Sequence, residues 1–475
     1  MKKLFLSILL ILPFLSIAQN YCGTLQTEEQ LTWLRDFQAN YTGSDFRGGD
    51  TYYVPLKVHI VGTDEGTGYM NAQTVMQDIC DLNDKFAATG FHFYLFEGIN
   101  YINNDDYYNH DWDDGYLMMV NNNVANVSNM YFVNDPVGNC GYFSYGGDAT
   151  AINNDCGGIG NSTIAHELGH FFSLPHTFYG WEWGEPAASD QEEVDGDNCN
   201  SAADGFCDTP PDYAPFRWNC SSPPDYTDPD GVEFTPDGTY YMSYSNDACT
   251  DKFSEEQMDA MRGNLNGPRN NLSDHPAVTF TDVDSTALIA PEDGAVHQYP
   301  NYTVLKWKAV ENAEGYVLQI AYTPTFSAVK YDIFTTDTFF LATDLAAEFN
   351  YKWRVKVLGE ANTCEPAGNY RTFETGAEYL SAIDENNLVF DQFIVYPNPT
   401  NNTEMLHVDI SSAVTKDVLL QITDMTGKVM YAENYKIATS KQTLNIPVQK
   451  FAEGIYLMHV SDATNIQVQK IIITK

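Results

Sequence analysis

Positive charge is scarce in this chain: 24 Lys and Arg stand against 65 Asp and Glu in 475 residues, a formal charge of −41. Nucleic acid and anionic membranes are excluded as partners, because phosphate recognition relies on Lys and Arg. A second apolar run is also missing. After the N-terminus no stretch of about 18 continuous apolar residues occurs, so no membrane span is expected. The N-terminus itself reads MKKLFLSILLILPFLSIAQN, with a basic pair at Lys2 and Lys3, an apolar run and small residues at Ser16 and Ala18. That is the layout of a secretory signal peptide over residues 1–18. A lipoprotein signal would need cysteine directly after the cut, whereas the first cysteine is Cys22. Nine cysteines in an exported chain imply disulfides, and an odd count leaves at least one thiol unpaired. Cys140 and Cys156 bracket one region, while Cys199, Cys207, Cys220 and Cys249 crowd another, and these six are the disulfide candidates.

The length calls for two to four cores. YYVPLKVHIVG (52–62) reads as a strand, and the helix after it carries Val75, Ile79, Leu82 and Phe86 at helical spacing, with Asn71 to cap its start and Gly90 its end. Segments 91–98, 129–134 and 150–156 read as further strands, and Ser254 with Gln257 forms a capping box before a closing helix. No amphipathic helix is evident beyond Val278. LKWKAV, GYVLQIAY and YKWRVKV alternate as strands of a sandwich do.

Residues 166–176 read HELGHFFSLPH. Residues four apart on a helix share a face, so His166 and His170 can aim at one point. Pro175 stops the helix, Ser173 occupies the turn, and His176 can close a three-histidine site. Three neutral imidazoles and one open position describe a catalytic zinc rather than a structural one. Glu167, beside the first ligand, suits the removal of a proton from zinc-bound water. His59 and His92, each alone in an apolar strand, read as core histidines, and His110, His275, His297, His407 and His459 as solvent-exposed ones.

HELGHFFSLPHTF resembles the long zinc motif of the metzincin metallopeptidases. Its context, with VPLKVHIV, LNDKFAATGFHFYL, CDTPPD (207–212) and YYMSYSNDAC (240–249), resembles the pappalysin, or cytophagalysin, family from about Tyr52 through Leu272. The resemblance implies a methionine turn at Met242. It also implies a place near zinc for Tyr244, as oxyanion support or simply as a packed turn tyrosine. The turn residue is commonly glycine in that family, and Ser173 departs from it; a left-handed serine costs about 1–2 kcal/mol. Residues 285–377, with Trp307, Tyr351, Trp353 and Val355, resemble a fibronectin type III domain. YPNP (396–399), DMTGK (424–428), GIY (454–456) and the terminal QKIIITK resemble the C-terminal sorting domain of the type IX secretion system. The expected fold class is a multidomain chain: an α+β metzincin-like zinc protease domain (51–277), a fibronectin-like sandwich (285–377), a linker (378–391) and an all-β sorting domain (392–475), preceded by a propeptide-like segment (19–50).

The expected function is a secreted zinc endopeptidase exported across the outer membrane of a Gram-negative bacterium, acting on proteins or peptides. A surface adhesin with an inactive metal domain, or an enzyme with a narrow processing role, are the alternatives. No Lys or Arg lies between Lys85 and Arg217, which suggests a preference for basic side chains near the cleavage site. Residues 185–237 hold fourteen acids, which suggests a structural calcium near Asp195, Asp197, Asp208 and Thr209. Cys22 is either a cysteine switch, its thiolate taking the open zinc position of a zymogen, or the partner of Cys80; in the first case Arg47 marks a cleavage neighbourhood.

Overall fold

The computed structural model describes residues 20–41, 51–379, 390, 392–401, 405–424, 429–452, 454–462 and 466–474. The signal peptide, Arg47, most of the linker and most of DMTGK lie outside the described residues. The chain forms two compact units, one up to Ala377 and one from Glu378.

The first unit is built on a six-stranded mixed sheet. Its order is Asn20–Cys22, Asn139–Ser144, Ala149–Asn153, Ser128–Val133, Tyr52–Gly62 and Phe91–Asn103. Tyr52–Gly62 lies between two parallel neighbours. Burial on both faces explains why it reads as a nearly unbroken apolar run. The crossover is the helix Ala72–Phe86, whose Val75, Ile79, Leu82 and Phe86 are buried as the spacing demands, and Gly90 after it is left-handed. Asn139–Ser144 runs antiparallel to its inner neighbour. Its outer edge is taken by Asn20–Cys22, paired in parallel.

The propeptide-like segment continues beyond its strand as a helix, Glu28–Asn40, that buries Leu31 and Leu34. Its Phe37 ring lies against Gly263 of the helix Glu255–Asn266, where a Cβ would collide with it. That second helix starts with the Ser254/Gln257 capping box. A helix at Trp112–Asn122 escaped the sequence reading, since the Asp111 cap is its main local signal.

The fibronectin-like part is a sandwich of three and five strands whose core holds Trp307, Tyr351, Trp353, Val355 and Phe373. It is not a separate module. Val317 and Leu358 belong to the same buried core as the six-stranded sheet, and Phe334 packs against that core. The Phe334 ring fills the space a side chain would need at both Gly98 and Gly315. Gln73 N–H donates to Asp332 Oδ1 at 2.8 Å across the seam. A disulfide, Cys80–Cys364, closes it. Cys80 is therefore not the partner of Cys22. The other three bridges are Cys140–Cys156, Cys199–Cys207 and Cys220–Cys249, and Cys22 is a free thiol.

Because Cys80 and Cys364 are 284 residues apart, their bond removes much loop entropy from the unfolded chain. Cys80→Ser with Cys364→Ser is expected to cost about 3–5 kcal/mol, read as a lower midpoint in chemical denaturation. A midpoint equal to that of the parent would show that the bridge contributes nothing to the stability of the first unit.

The second unit is another sandwich of three and five strands, centred on Leu406, Val408, Ile410, Leu420, Ile422, Met458 and Val460. Asn398 of the YPNP stretch pins the last strand, donating to the Lys470 carbonyl (2.7 Å) and accepting from Ile472 N–H (2.9 Å). No helix among the described residues is long and apolar enough to cross a membrane.

Three histidines depart from expectation, one of them His92, which is only half-buried with its Nε2 against the Ala361 carbonyl. His110 and His459 are buried. The first is held between the Tyr107 carbonyl and the Tyr142 hydroxyl, and the second meets the Thr423 hydroxyl. These hydrogen bonds make burial of the two rings tolerable. His59 is a core residue, stacked on Tyr131.

Candidate metal centre

The motif helix Thr163–Phe171 is wholly buried. It ends because Ser173 turns left-handed, with φ 73°. Its N–H returns to the His170 carbonyl and Leu174 N–H to that of Gly169. The hydroxyl of Ser173 accepts a hydrogen bond from Asn264 Nδ2 at 2.8 Å, a partner that glycine could not offer. The reversal brings His176 back over the helix. Nε2 of His170 lies 3.2 Å from that of His166 and 3.1 Å from that of His176.

The outer nitrogens define the chemistry of the inner ones. Nδ1 of His166 donates to the Tyr241 carbonyl (2.7 Å), and Nδ1 of His170 to the Leu174 carbonyl (2.8 Å). Nδ1 of His176 faces Glu182 Oε1 at 2.8 Å. A carbonyl can only accept, so His166 and His170 are Nδ1–H tautomers with a bare lone pair on Nε2. Burial holds both rings well below the ordinary histidine range, hence neutral. Lone pairs crowded in a dry pocket repel one another unless a cation lies between them. The observed spacing is close to the edge of a tetrahedron of zinc–nitrogen bonds, about 3.3 Å. The donor set fits zinc.

Cys22 joins this set. Its Sγ lies 3.6 Å from His170 Nε2. Among the described residues, Cys22, His166, His170 and His176 form the one group of three or more His, Cys, Asp or Glu side chains with all ligand atoms within 4.8 Å. Beside it, Glu167 is fully buried, and burial pushes its carboxyl up to about 8. Oε1 has no partner, whereas Oε2 accepts from the Thr24 hydroxyl at 2.8 Å. Thr24 Oγ1 in turn accepts from Phe143 N–H. Two residues of the N-terminal segment, Cys22 and Thr24, thus face the two chemical elements of the motif.

Met242 lies beneath the helix, its sulfur against Gly169 where a Cβ would collide. That contact explains the glycine inside HELGH. The Tyr244 ring lies tilted against His166 and edge-on to His176, and its hydroxyl donates to the Cys22 carbonyl at 3.3 Å.

The suggested calcium residues do not converge. Asp195 and Asp197 are exposed, Asp195 Oδ1 accepting from Asp197 N–H in a tight turn. Asp208 is exposed and caps the first turn of the Glu255–Asn266 helix through Glu256 N–H. Thr209 alone is buried, donating to Asp204. Of the four buried acids of this region, Asp228 is satisfied by Val194 N–H and Val232 N–H, and the three that act on one another are Glu192, Asp204 and Asp212. Burial, then Asp204 and Asp212, pushes the Glu192 carboxyl up to about 9. Sequence spacing offers no rule that selects these three from fourteen acids. Glu182, which orients His176, was missed for the same reason.

Comparison with known proteins agrees with both ends of the chain. Residues 394–474 match the secretion system C-terminal sorting domain family. This tag marks the chain for export across the outer membrane. An extracellular metalloprotease of Arthroderma benhamiae is 26% identical over 264 residues, covering 52% of this chain and 83% of the relative. Extracellular metalloprotease 1 of Coccidioides posadasii is 28% identical over 233 residues, covering 44% and 73%. A solved structure of mirolysin in complex with compound 9 aligns with 47% of this chain and 96% of its own, at 20% identity and a TM-score of 0.36.

Proposed function

We propose that the first unit is a latent zinc endopeptidase of pappalysin type, exported by the type IX system. The observation that carries this reading is the convergence of three imidazoles on one point, with a buried and half-satisfied carboxylate beside it. A zinc ion held by His166, His170 and His176 would polarise a peptide carbonyl and lower the pKa of water there. Glu167 would accept the proton of that water at Oε1 and deliver it to the departing amine. The Tyr244 hydroxyl, released from the Cys22 carbonyl, would donate to the developing oxyanion. Removal of Asn20–Cys22 would bare the outer edge of Asn139–Ser144, onto which an extended substrate can add as a strand.

In the latent chain Cys22 would supply the fourth zinc ligand and Thr24 would occupy Glu167. Burial, and then the neighbouring Glu167 carboxylate, push the thiol well above its ordinary range. Zinc reverses that tendency, because a coordinated thiol is deprotonated. Metal analysis of the matured enzyme, with casein digestion before and after zinc chelation and restoration, tests the reading. A matured protein without metal, or chelator-resistant digestion, would end it.

Calcium belongs, on this reading, with Glu192, Asp204, Asp212 and Thr209. Glu192 Oε2 is buried without a partner, and burying several carboxylates without a counter-ion is costly. Added calcium is expected to raise the melting temperature of chelated protein by several degrees, an effect of about 1–3 kcal/mol by mass action. Glu192→Ala should abolish the increment. An unchanged melting temperature on chelation and refill would remove the site.

A further inference from the structure

Beside the histidine centre, the N-terminal strand inserts a side chain deeper than its cysteine. Tyr21 is 5% exposed, although it sits on a three-residue edge strand. Its hydroxyl lies 2.8 Å from Ser162 Oγ. One face is covered by the Arg217 guanidinium, 4.0 Å from the ring centroid. Its edges meet His166 at 5.0 Å and Tyr244 at 5.3 Å between centroids. The walls form a slot for a flat ring that ends in a hydroxyl.

None of these walls belongs to the N-terminal segment. Ser162 precedes the motif helix, and its N–H and hydroxyl both bond Asp247 Oδ1, at 3.0 and 2.6 Å. Arg217 Nη2 bonds Asp247 Oδ2 at 2.7 Å. The Cys220–Cys249 disulfide and the Trp218–Ser245 bridge tie together the two loops that carry Arg217 and Asp247. The slot therefore survives the departure of Tyr21. It also stands next to the chemistry, since the following residue, Cys22, sits opposite Gly141 of the edge strand and reaches the histidines.

We propose that this slot is the main specificity pocket of the matured enzyme. It receives the substrate side chain flanking the scissile bond and selects Tyr and Phe over Lys and Arg. The proposal rests on the peptidase reading given above. A strand added to the same edge places its reacting bond where Cys22 lies and a neighbouring side chain where Tyr21 lies. An aromatic ring gains apolar burial and a cation above its face. A Lys or Arg would meet the Arg217 guanidinium, and the acid within reach, Asp247, is already ion-paired. The general negative potential of the Lys- and Arg-free span attracts basic peptides at long range but does not govern this contact.

Cut sites made by the matured enzyme in denatured casein and in a peptide library, mapped by mass spectrometry, test the idea. Tyr and Phe are expected next to the cut about tenfold more often than Lys and Arg. Arg217→Ala leaves Asp247 unpaired and should reverse that ratio. Ser162→Ala should lower the preference for Tyr over Phe about three- to tenfold, the worth of one neutral hydrogen bond. Should Arg217→Ala fail to fold, the parent profile and Ser162→Ala decide. Efficient casein cleavage with a flat or Lys- and Arg-rich profile overturns the pocket assignment and leaves the peptidase reading standing. No cleavage by zinc-loaded matured protein overturns the peptidase reading, and the pocket with it.

Discussion

Glu167→Gln is expected to lower turnover of a protein substrate by about three orders of magnitude while the zinc content stays unchanged. The amide has nearly the shape of the carboxylate, and its oxygen can still accept the Thr24 hydroxyl that Oε2 accepts at 2.8 Å. The histidine geometry should therefore persist, because the three rings are oriented by Tyr241, Leu174 and Glu182 rather than by Glu167. What disappears is a basic site in a pocket that excludes water. Turnover within tenfold of the parent, with metal still bound, would transfer the proton-accepting role to another group. Loss of both activity and zinc would instead mark Glu167 as structural.

The second large effect concerns latency. In the unprocessed chain, Cys22→Ser should replace a thiolate that binds zinc strongly with a hydroxyl that binds it weakly. A contact worth about 3 kcal/mol corresponds to roughly two orders of magnitude in the ratio of docked to undocked segment. Unprocessed Cys22→Ser protein is therefore expected to cleave peptides about a hundredfold faster than unprocessed parent. The matured forms of the two should be indistinguishable. Release need not be complete, because Tyr21, Thr24 and the helix Glu28–Asn40 still hold the segment. An equally silent Cys22→Ser chain would show that strand pairing and the Glu28–Asn40 helix maintain latency without the thiol.

How far the site was legible follows from how local each relation is. The spacing of His166, Glu167 and His170 is a property of one helix, so it can be read from little more than a single turn of sequence. His176 needed one more step, the stop at Pro175. The left-handed turn at Ser173 was anticipated, but the Asn264 amide that holds it comes from ninety residues away. Glu182 and Thr24 are polar residues among many, and only the folded chain sets them against His176 and Glu167. The residues suggested for calcium fail to converge for a related reason. Acid density along a sequence measures charge, whereas a cation site requires carboxylates that burial forces together.

The sandwich presents the same contrast on a larger scale. Alternation in its strands revealed that Trp307, Tyr351 and Trp353 lie inside, because period two is built into any strand with one buried face. Alternation carries no information about what the far side of a sheet touches. Phe334 and the Cys80–Cys364 bridge, which make the sandwich part of the first unit, could not be inferred from it.

The sequence alone determined the type of chemistry, the sandwich cores and the export tag, all of which are marked by patterns among residues near in the chain. The tertiary structure decided which thiol stays free, what orients each imidazole, which ring fills the slot beside them and how the sandwich is joined to the sheet. Those relations connect residues tens to hundreds of positions apart, and no periodicity of a helix or strand can encode them.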